Sequence, residues 1–147
     1  MDIFYNTDIY NIPEATEGNR ISTNNIEKSL ITILLKINDY NNESLNFLES
    51  IMKAIGFDLN SECILREFKE NILIDFSKIK DDDNSKYLIG FGLKTNQFKT
   101  QAIINTEKWN HFDNLSLLLS DSLDKIKNDI KLKKTLWIEL KKVFNDK

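Results

Sequence analysis

The chain has 147 residues, 41% of them hydrophobic and 29% charged, a balance that fits one folded domain and excludes disorder as its overall state. Twenty Lys and Arg against 23 Asp and Glu leave a net charge of -3, so the surface as a whole repels a phosphate backbone, which argues against autonomous tight DNA binding. No apolar run approaches the roughly 20 residues of a membrane span, Met1 to Arg20 lacks the basic-then-apolar pattern of a secretion signal, and Cys63 and His111, each the only one of its kind, exclude an intrachain disulfide and leave no Cys/His zinc set; the expected compartment is the cytoplasm.

Residues 1–25 are polar, contain the only proline, Pro13, and show no sustained period. They read as an extended or disordered arm, followed by an α/β domain over residues 26–147. Leu30 to Ile37 is a near-continuous, β-branched apolar run, which predicts a central strand covered on both faces. Asn38 to Asn42 then supplies a polar turn with candidate N-caps. Beyond it Leu45, Leu48, Met52 and Ile55 fall on one helical face, and Gly56 stands where a helix ends.

Cys63 to Phe68 predicts a second strand, and Ile72 to Phe76 either a third strand or the approach to a helix around Ser77 to Lys80. Asp81 to Ser85 reads as a charged, solvated loop, and Tyr87 to Phe91 as a short buried strand whose neighbours Gly90 and Gly92 permit a tight exit. Between Lys94 and Asn114 the pattern is least legible. Ala102 to Ile104 is expected as an edge strand, with Trp109, His111 and Phe112 capping the sheet, before a last strand over Leu115 to Leu119. Strands alternating with helices, the first of them buried on both sides, imply a single-domain three-layer α/β/α sandwich with a mostly parallel central sheet.

No constellation here meets the requirements of catalysis. Gly90-Phe91-Gly92 lacks the further glycines and the directly following helix of a phosphate loop. Asp81, Asp82 and Asp83 are adjacent rather than spaced at alternating positions as in a calcium loop. His111 with Asp113 pairs a base with a carboxylate, but no serine or cysteine motif accompanies them, and Cys63 in a predicted strand reads as a small buried residue. The expectation is a protein that is not an enzyme and has no cofactor, metal, membrane or small-molecule substrate.

The C-terminal stretch carries the most distinctive wording. Leu123, Ile126, Ile130, Trp137, Leu140 and Phe144 recur at helical intervals, which predicts one buried stripe. Lys125, Lys127, Lys131, Lys133, Lys134, Lys141 and Lys142 make the same region basic within an acidic protein, either as a solvated face or as a docking face for an acidic partner. Ser120 to Ile126, followed by Lys133-Lys134-Thr135-Leu136-Trp137-Ile138-Glu139-Leu140 and a final Phe144, resembles the end of the psi accessory subunit of the bacterial DNA polymerase III clamp loader. Phe47 to Phe57 is similar to that family's first helix, Lys86 to Gly92 to its strand ending in Phe-Gly, and Ile9-Tyr10-Asn11-Ile12-Pro13 to its N-terminal peptide, all in the family's order.

The resemblance implies a non-enzymatic interaction subunit, related in shape to uracil-DNA glycosylases, that docks on the clamp-loader collar through its N-terminal peptide, here Ile9, Tyr10, Ile12 and Pro13. The uncharged Tyr10 to Pro13 segment departs from the basic residues the family sets beside its aromatic. Members also bridge to a chi subunit, which no residue here identifies. Small size and an acidic composition equally suit an immunity or antitoxin-type binding protein.

Overall fold

The structure, a computed structural model, describes residues 15–16, 19–20, 29–112 and 114–144. Its centre is β3 (Ile31–Lys36), whose first five residues are all buried. Such a strand has no solvent face, which is why its sequence lacks an alternating pattern. β4 (Cys63–Phe68) and β6 (Tyr87–Phe91) pair with it in parallel on either side, and β8 (Leu115–Ser120) pairs in parallel with β6. Two antiparallel strands close the edges, β2 (Asn19–Arg20) beside β4 and β7 (Trp109–Phe112) beside β8, giving a six-stranded sheet of order β2-β4-β3-β6-β8-β7. Away from it, β1 (Ala15–Thr16) pairs in parallel with β5 (Leu73–Ile74).

Helices cover both faces, so the α/β/α sandwich with a mostly parallel sheet is the observed architecture. On one face lie α1 (Asn42–Ala54), the single turn α2 (Leu59–Glu62), α4 (Leu123–Lys127) and α5 (Ile130–Val143). Leu48, Met52, Ile55, Leu123, Ile126, Leu136 and Leu140 pack there on Ile31, Ile33, Leu35, Ile89 and Leu118. On the other face α3 (Phe76–Asp83) sets Phe76 and Ile79 against Leu34, Phe68, Leu88 and Leu117. The odd-even division along β3 between the two clusters is the pleat of a strand, whose successive side chains point to opposite faces.

Local chemistry explains the helix limits. The Asn41 side chain accepts from the Ser44 amide at 2.9 Å and starts α1, which ends before Gly56 at φ 93°, a conformation glycine adopts without strain. Ser122 caps α4, and Asp129 caps α5 by accepting from the amides of Lys131 and Leu132 at 2.9 and 3.3 Å.

Four sequence expectations are corrected by the fold. Ala102 to Ile104 form no strand, and Ile103 is 86% exposed; the edge is built instead by Trp109, Asn110, His111 and Phe112, which do not cap the sheet but pair with β8. Phe112 faces Leu115 in that pairing, so the adjacent segment wins the edge at little loop-closure cost. Leu73–Ile74 is a short strand and Phe76–Asp83 a helix, so the chain uses both of the options open over Ile72 to Lys80.

Asp81 to Asp83 are not a solvated loop. They form the last turn of α3, which ends at Asn84 with φ 54°. Asp83 is fully buried and accepts from Arg66 Nε at 2.8 Å and Nη2 at 2.5 Å and from Thr32 Oγ1 at 3.0 Å. One of the chain's few arginines is thus spent on an internal two-pronged ion pair.

The fourth correction concerns the C-terminal stripe. Ile130 is 80% and Trp137 37% exposed, while Leu136 and Leu140 face the sheet. Counting from Ile126 through Ile130 to Trp137 presumes one continuous helix. Asn128 instead ends α4 and Asp129 starts α5 afresh, so the buried phase of the first helix does not carry into the second.

Candidate protein-docking site

From Phe47 onwards α1 presents two apolar rows. Leu48, Met52 and Ile55 enter the core, whereas Phe47, Ile51 and Ala54 lie beside them and turn towards α5. On α5 the core row is Leu136 and Leu140, and the neighbouring row holds Lys133 and Trp137. The two outer rows face each other across an open groove of about 260 Å³, closed below by Leu136 and Leu140 and at one end by Ile126. Ser50 is the main polar contribution to its walls besides Lys133. Broader depressions of about 530 and 650 Å³ occur beside Gly56 and beside Asp129, but charged side chains line both.

Cations flank the groove. Lys133 Nζ stands 5.8 Å from the centre of the Phe47 ring and Lys141 Nζ 5.4 Å from the centre of the Trp137 ring, both within reach of the ring quadrupole. Ile130, Lys133, Lys134 and Trp137 follow at helical intervals and are all exposed, so they form one stripe along α5. Of the exposed large hydrophobic side chains among the described residues, Ile130, Trp137 and Ile138 all belong to this helix. The structure therefore brings together the lysines that the sequence marks as a basic face and an aromatic that the sequence assigns to the core. Phe47, Ile51 and Ala54 went unnoticed as a surface row, although their i, i+4, i+7 spacing parallel to the core row was the available signal.

The far side of α5 anchors it and thereby fixes the groove. Trp109 Nε1 donates to the Glu139 carbonyl at 2.6 Å, and the Trp109 amide donates to Glu139 Oε1 at 3.0 Å. Burial opposes ionisation of the Glu139 carboxyl, but the Lys142 ammonium at 2.6 Å and the Trp109 amide outweigh it and hold the carboxyl below its ordinary range. Phe144 packs edge-on against Phe57 and Tyr87, with centroids 5.4 and 4.9 Å away.

The carboxyl ends of the parallel strands are the usual ligand position in such sheets, at the point where the strand order reverses. Here that point lies between β3 and β6, and the Asp39 side chain fills it: Gly92 has φ 75°, and a Cβ on it would overlap the Asp39 carboxylate. Burial pushes the Asp39 carboxyl up; Lys36 opposes this, and the nearby Asp124 and Asp121 add to it. Next to it the Tyr40 hydroxyl donates to Glu67 Oε2 at 2.5 Å, and burial followed by the Glu67 carboxylate pushes its pKa up to about 12. Asp39 and Tyr40 are both half-buried at this point.

Of the residues weighed for catalysis, His111 is exposed on β7 with Nδ1 2.7 Å from Ser116 Oγ, its directly opposite neighbour on β8. This pair sits on the surface of an edge hairpin. Cys63 is buried in β4, and Asp113 lies outside the described residues. Ile9, Tyr10, Ile12 and Pro13 lie outside them too. No grouping of His, Cys, Asp and Glu among the described residues is arranged to hold a metal ion, and none of the described helices is long and apolar enough to cross a membrane. Compared with known proteins, the chain matches no family model and no curated protein.

Proposed function

We propose that this chain is a non-enzymatic protein-interaction subunit resembling the psi subunit of the bacterial DNA polymerase III clamp loader, with the groove between α1 and α5 as one docking surface. The observation that carries the interaction reading is the half-open Trp137 at the lip of an apolar groove edged by lysines. A partly exposed tryptophan beside a small apolar depression with a polar rim is the composition of an interaction hot spot.

The replication-specific part rests on the ordered segments Phe47 to Phe57, Lys86 to Gly92 and Ser120 to Phe144, with which an α/β/α sandwich agrees. In this reading Ile9, Tyr10, Ile12 and Pro13 form a second contact, on the clamp-loader collar. Because Ala15–Thr16 and Asn19–Arg20 pair with strands of the domain, the test keeps the arm and changes single residues.

The full-length chain and its Tyr10→Ala variant are titrated against the clamp loader reconstituted from the same cell. The expected result is binding that Tyr10→Ala weakens by about tenfold or more, the effect of losing an aromatic anchor. A chain that does not bind the clamp loader but neutralises a toxin would overturn the replication assignment in favour of an immunity role. Activity lost in a folded His111→Ala variant that still binds its partner would overturn the non-enzymatic one.

A further inference from the structure

We infer that the α1/α5 groove takes an acidic amphipathic helix of a partner protein, with one or two apolar side chains entering beside Trp137 and carboxylates meeting the lysines of α5. The inference rests on the interaction reading above and supplies the chemistry of the partner. Three observations point to this occupant.

The first is size. At about 260 Å³ the groove falls just short of the roughly 300–1,000 Å³ of sites that enclose a whole small ligand, yet it accepts individual side chains.

The second is charge. Lys131, Lys133 and Lys134 each lack an ion-paired carboxylate among the described residues, whereas Lys127 and Lys142 are satisfied by Glu43 and Glu139 at 2.9 and 2.6 Å. Unpaired lysines on one face of a chain of net charge -3 create a local field that attracts acid while the rest of the surface repels it.

The third is shape. The exposed stripe from Ile130 to Trp137 extends roughly 10 Å at 1.5 Å per residue, the length of about two turns of a second helix laid along it. Helix-in-groove recognition uses anchors at the same i, i+4, i+7 spacing that Phe47, Ile51 and Ala54 already present from the opposite wall.

The chain's own N-terminal segment is also acidic and aromatic, with Asp2, Asp8, Glu14 and Glu17 among Phe4, Tyr5 and Tyr10. However, Ala15–Thr16 are paired to Leu73–Ile74, and Ile74 belongs to the core on the opposite face of the sheet from the groove.

The test uses the full-length, isotope-labelled protein and three synthetic probes: an 18-residue helical peptide with Leu and Phe on one face and Glu elsewhere, the same peptide with Lys replacing every Glu, and a peptide of residues 1–19. The acidic helix is expected to bind, to shift amides of α1 and α5, and to lose about tenfold or more in affinity between low and high salt, because exposed charges are screened within a Debye length. Trp137→Ala and the double variant Lys133→Glu/Lys134→Glu are each expected to weaken it by about tenfold while lowering the melting temperature by no more than about 4 °C.

Equal binding of the acidic and basic helices, shifts centred elsewhere, or no binding overturns the inference. So does tighter binding of the 1–19 peptide, which would make the groove a dock for the chain's own segment. A groove that ignores the acidic helix in a chain that still joins the clamp loader removes this inference alone. Helix binding in a chain that does not join the clamp loader removes only the replication assignment.

Discussion

Replacing Asp83 by Ala separates the structure from the sequence reading of residues 81–85 by about an order of magnitude in stability. A substitution in a solvated acidic loop stays within about ±0.5 kcal/mol. Asp83 is instead 0% exposed and faces Arg66, itself only 4% exposed, through two hydrogen bonds of 2.8 and 2.5 Å. Removing the carboxylate strips those acceptors from a buried guanidinium, and breaking a buried pair in this way costs about 3–5 kcal/mol. The Thr32 hydroxyl, also an Asp83 donor, keeps Ser85 Oγ at 2.6 Å, so it adds little to the loss. For a domain of this size the cost corresponds to a melting temperature lower by roughly 10–15 °C.

Urea unfolding and thermal melts of the parent, Asp83→Ala, Asp83→Leu, Arg66→Met and the double variant Arg66→Met/Asp83→Leu complete the cycle. The double variant is expected to recover most of the loss, because an apolar pair of similar volume leaves no charge buried without its counter-ion. A loss below about 1 kcal/mol for Asp83→Ala, or two single losses that simply add in the double variant, would refute the buried pair.

Two further outcomes follow from the packing. Leu140→Ala, at a buried position, is expected to cost about 2–5 kcal/mol, and Trp137→Ala, 37% exposed, only about 1 kcal/mol; paired denaturation curves check this, and a larger loss at Trp137 would reverse the assigned phase of α5. Tyr40 should ionise near pH 12, so a phenolate absorbance titration of the Tyr40→Phe variant should lose amplitude near that pH. Since the raised pKa belongs to the folded state, the stability it contributes is complete below about pH 10, the unfolded value, and disappears as pH rises towards about 12. Stability measured across that window should therefore fall less steeply in the variant, and equal slopes would refute the Tyr40–Glu67 linkage.

Elements whose fate depends on neighbours in sequence were legible in the chain. Ile31 to Leu35 are apolar at every position but Thr32, a pattern that a central strand accommodates, and Leu48, Met52 and Ile55 define one face of α1 whatever packs on it. Cys63 to Phe68 matches β4 at both ends for the same reason. From such elements the layered α/β architecture follows, since a doubly buried parallel strand requires helices on both sides.

What the sequence left undecided depends on partners distant in the chain. Asp83 has the same local pattern as its exposed neighbours Asp81 and Asp82, and its burial is set by Arg66 on another element. The edge position fell to Trp109 to Phe112 because β8 lay next to it, although Ala102 to Ile104 is no less apolar. Trp137 presents the same helical periodicity whether it enters the core or borders a groove. Only the placement of α5, fixed by the Asp129 cap and by the hydrogen bonds between Trp109 and Glu139, turns it outward and opposes it to Phe47. Periodicity determines which residues share a face, while which face is buried is settled by contacts across the fold, and so the candidate docking site belongs to the tertiary structure alone.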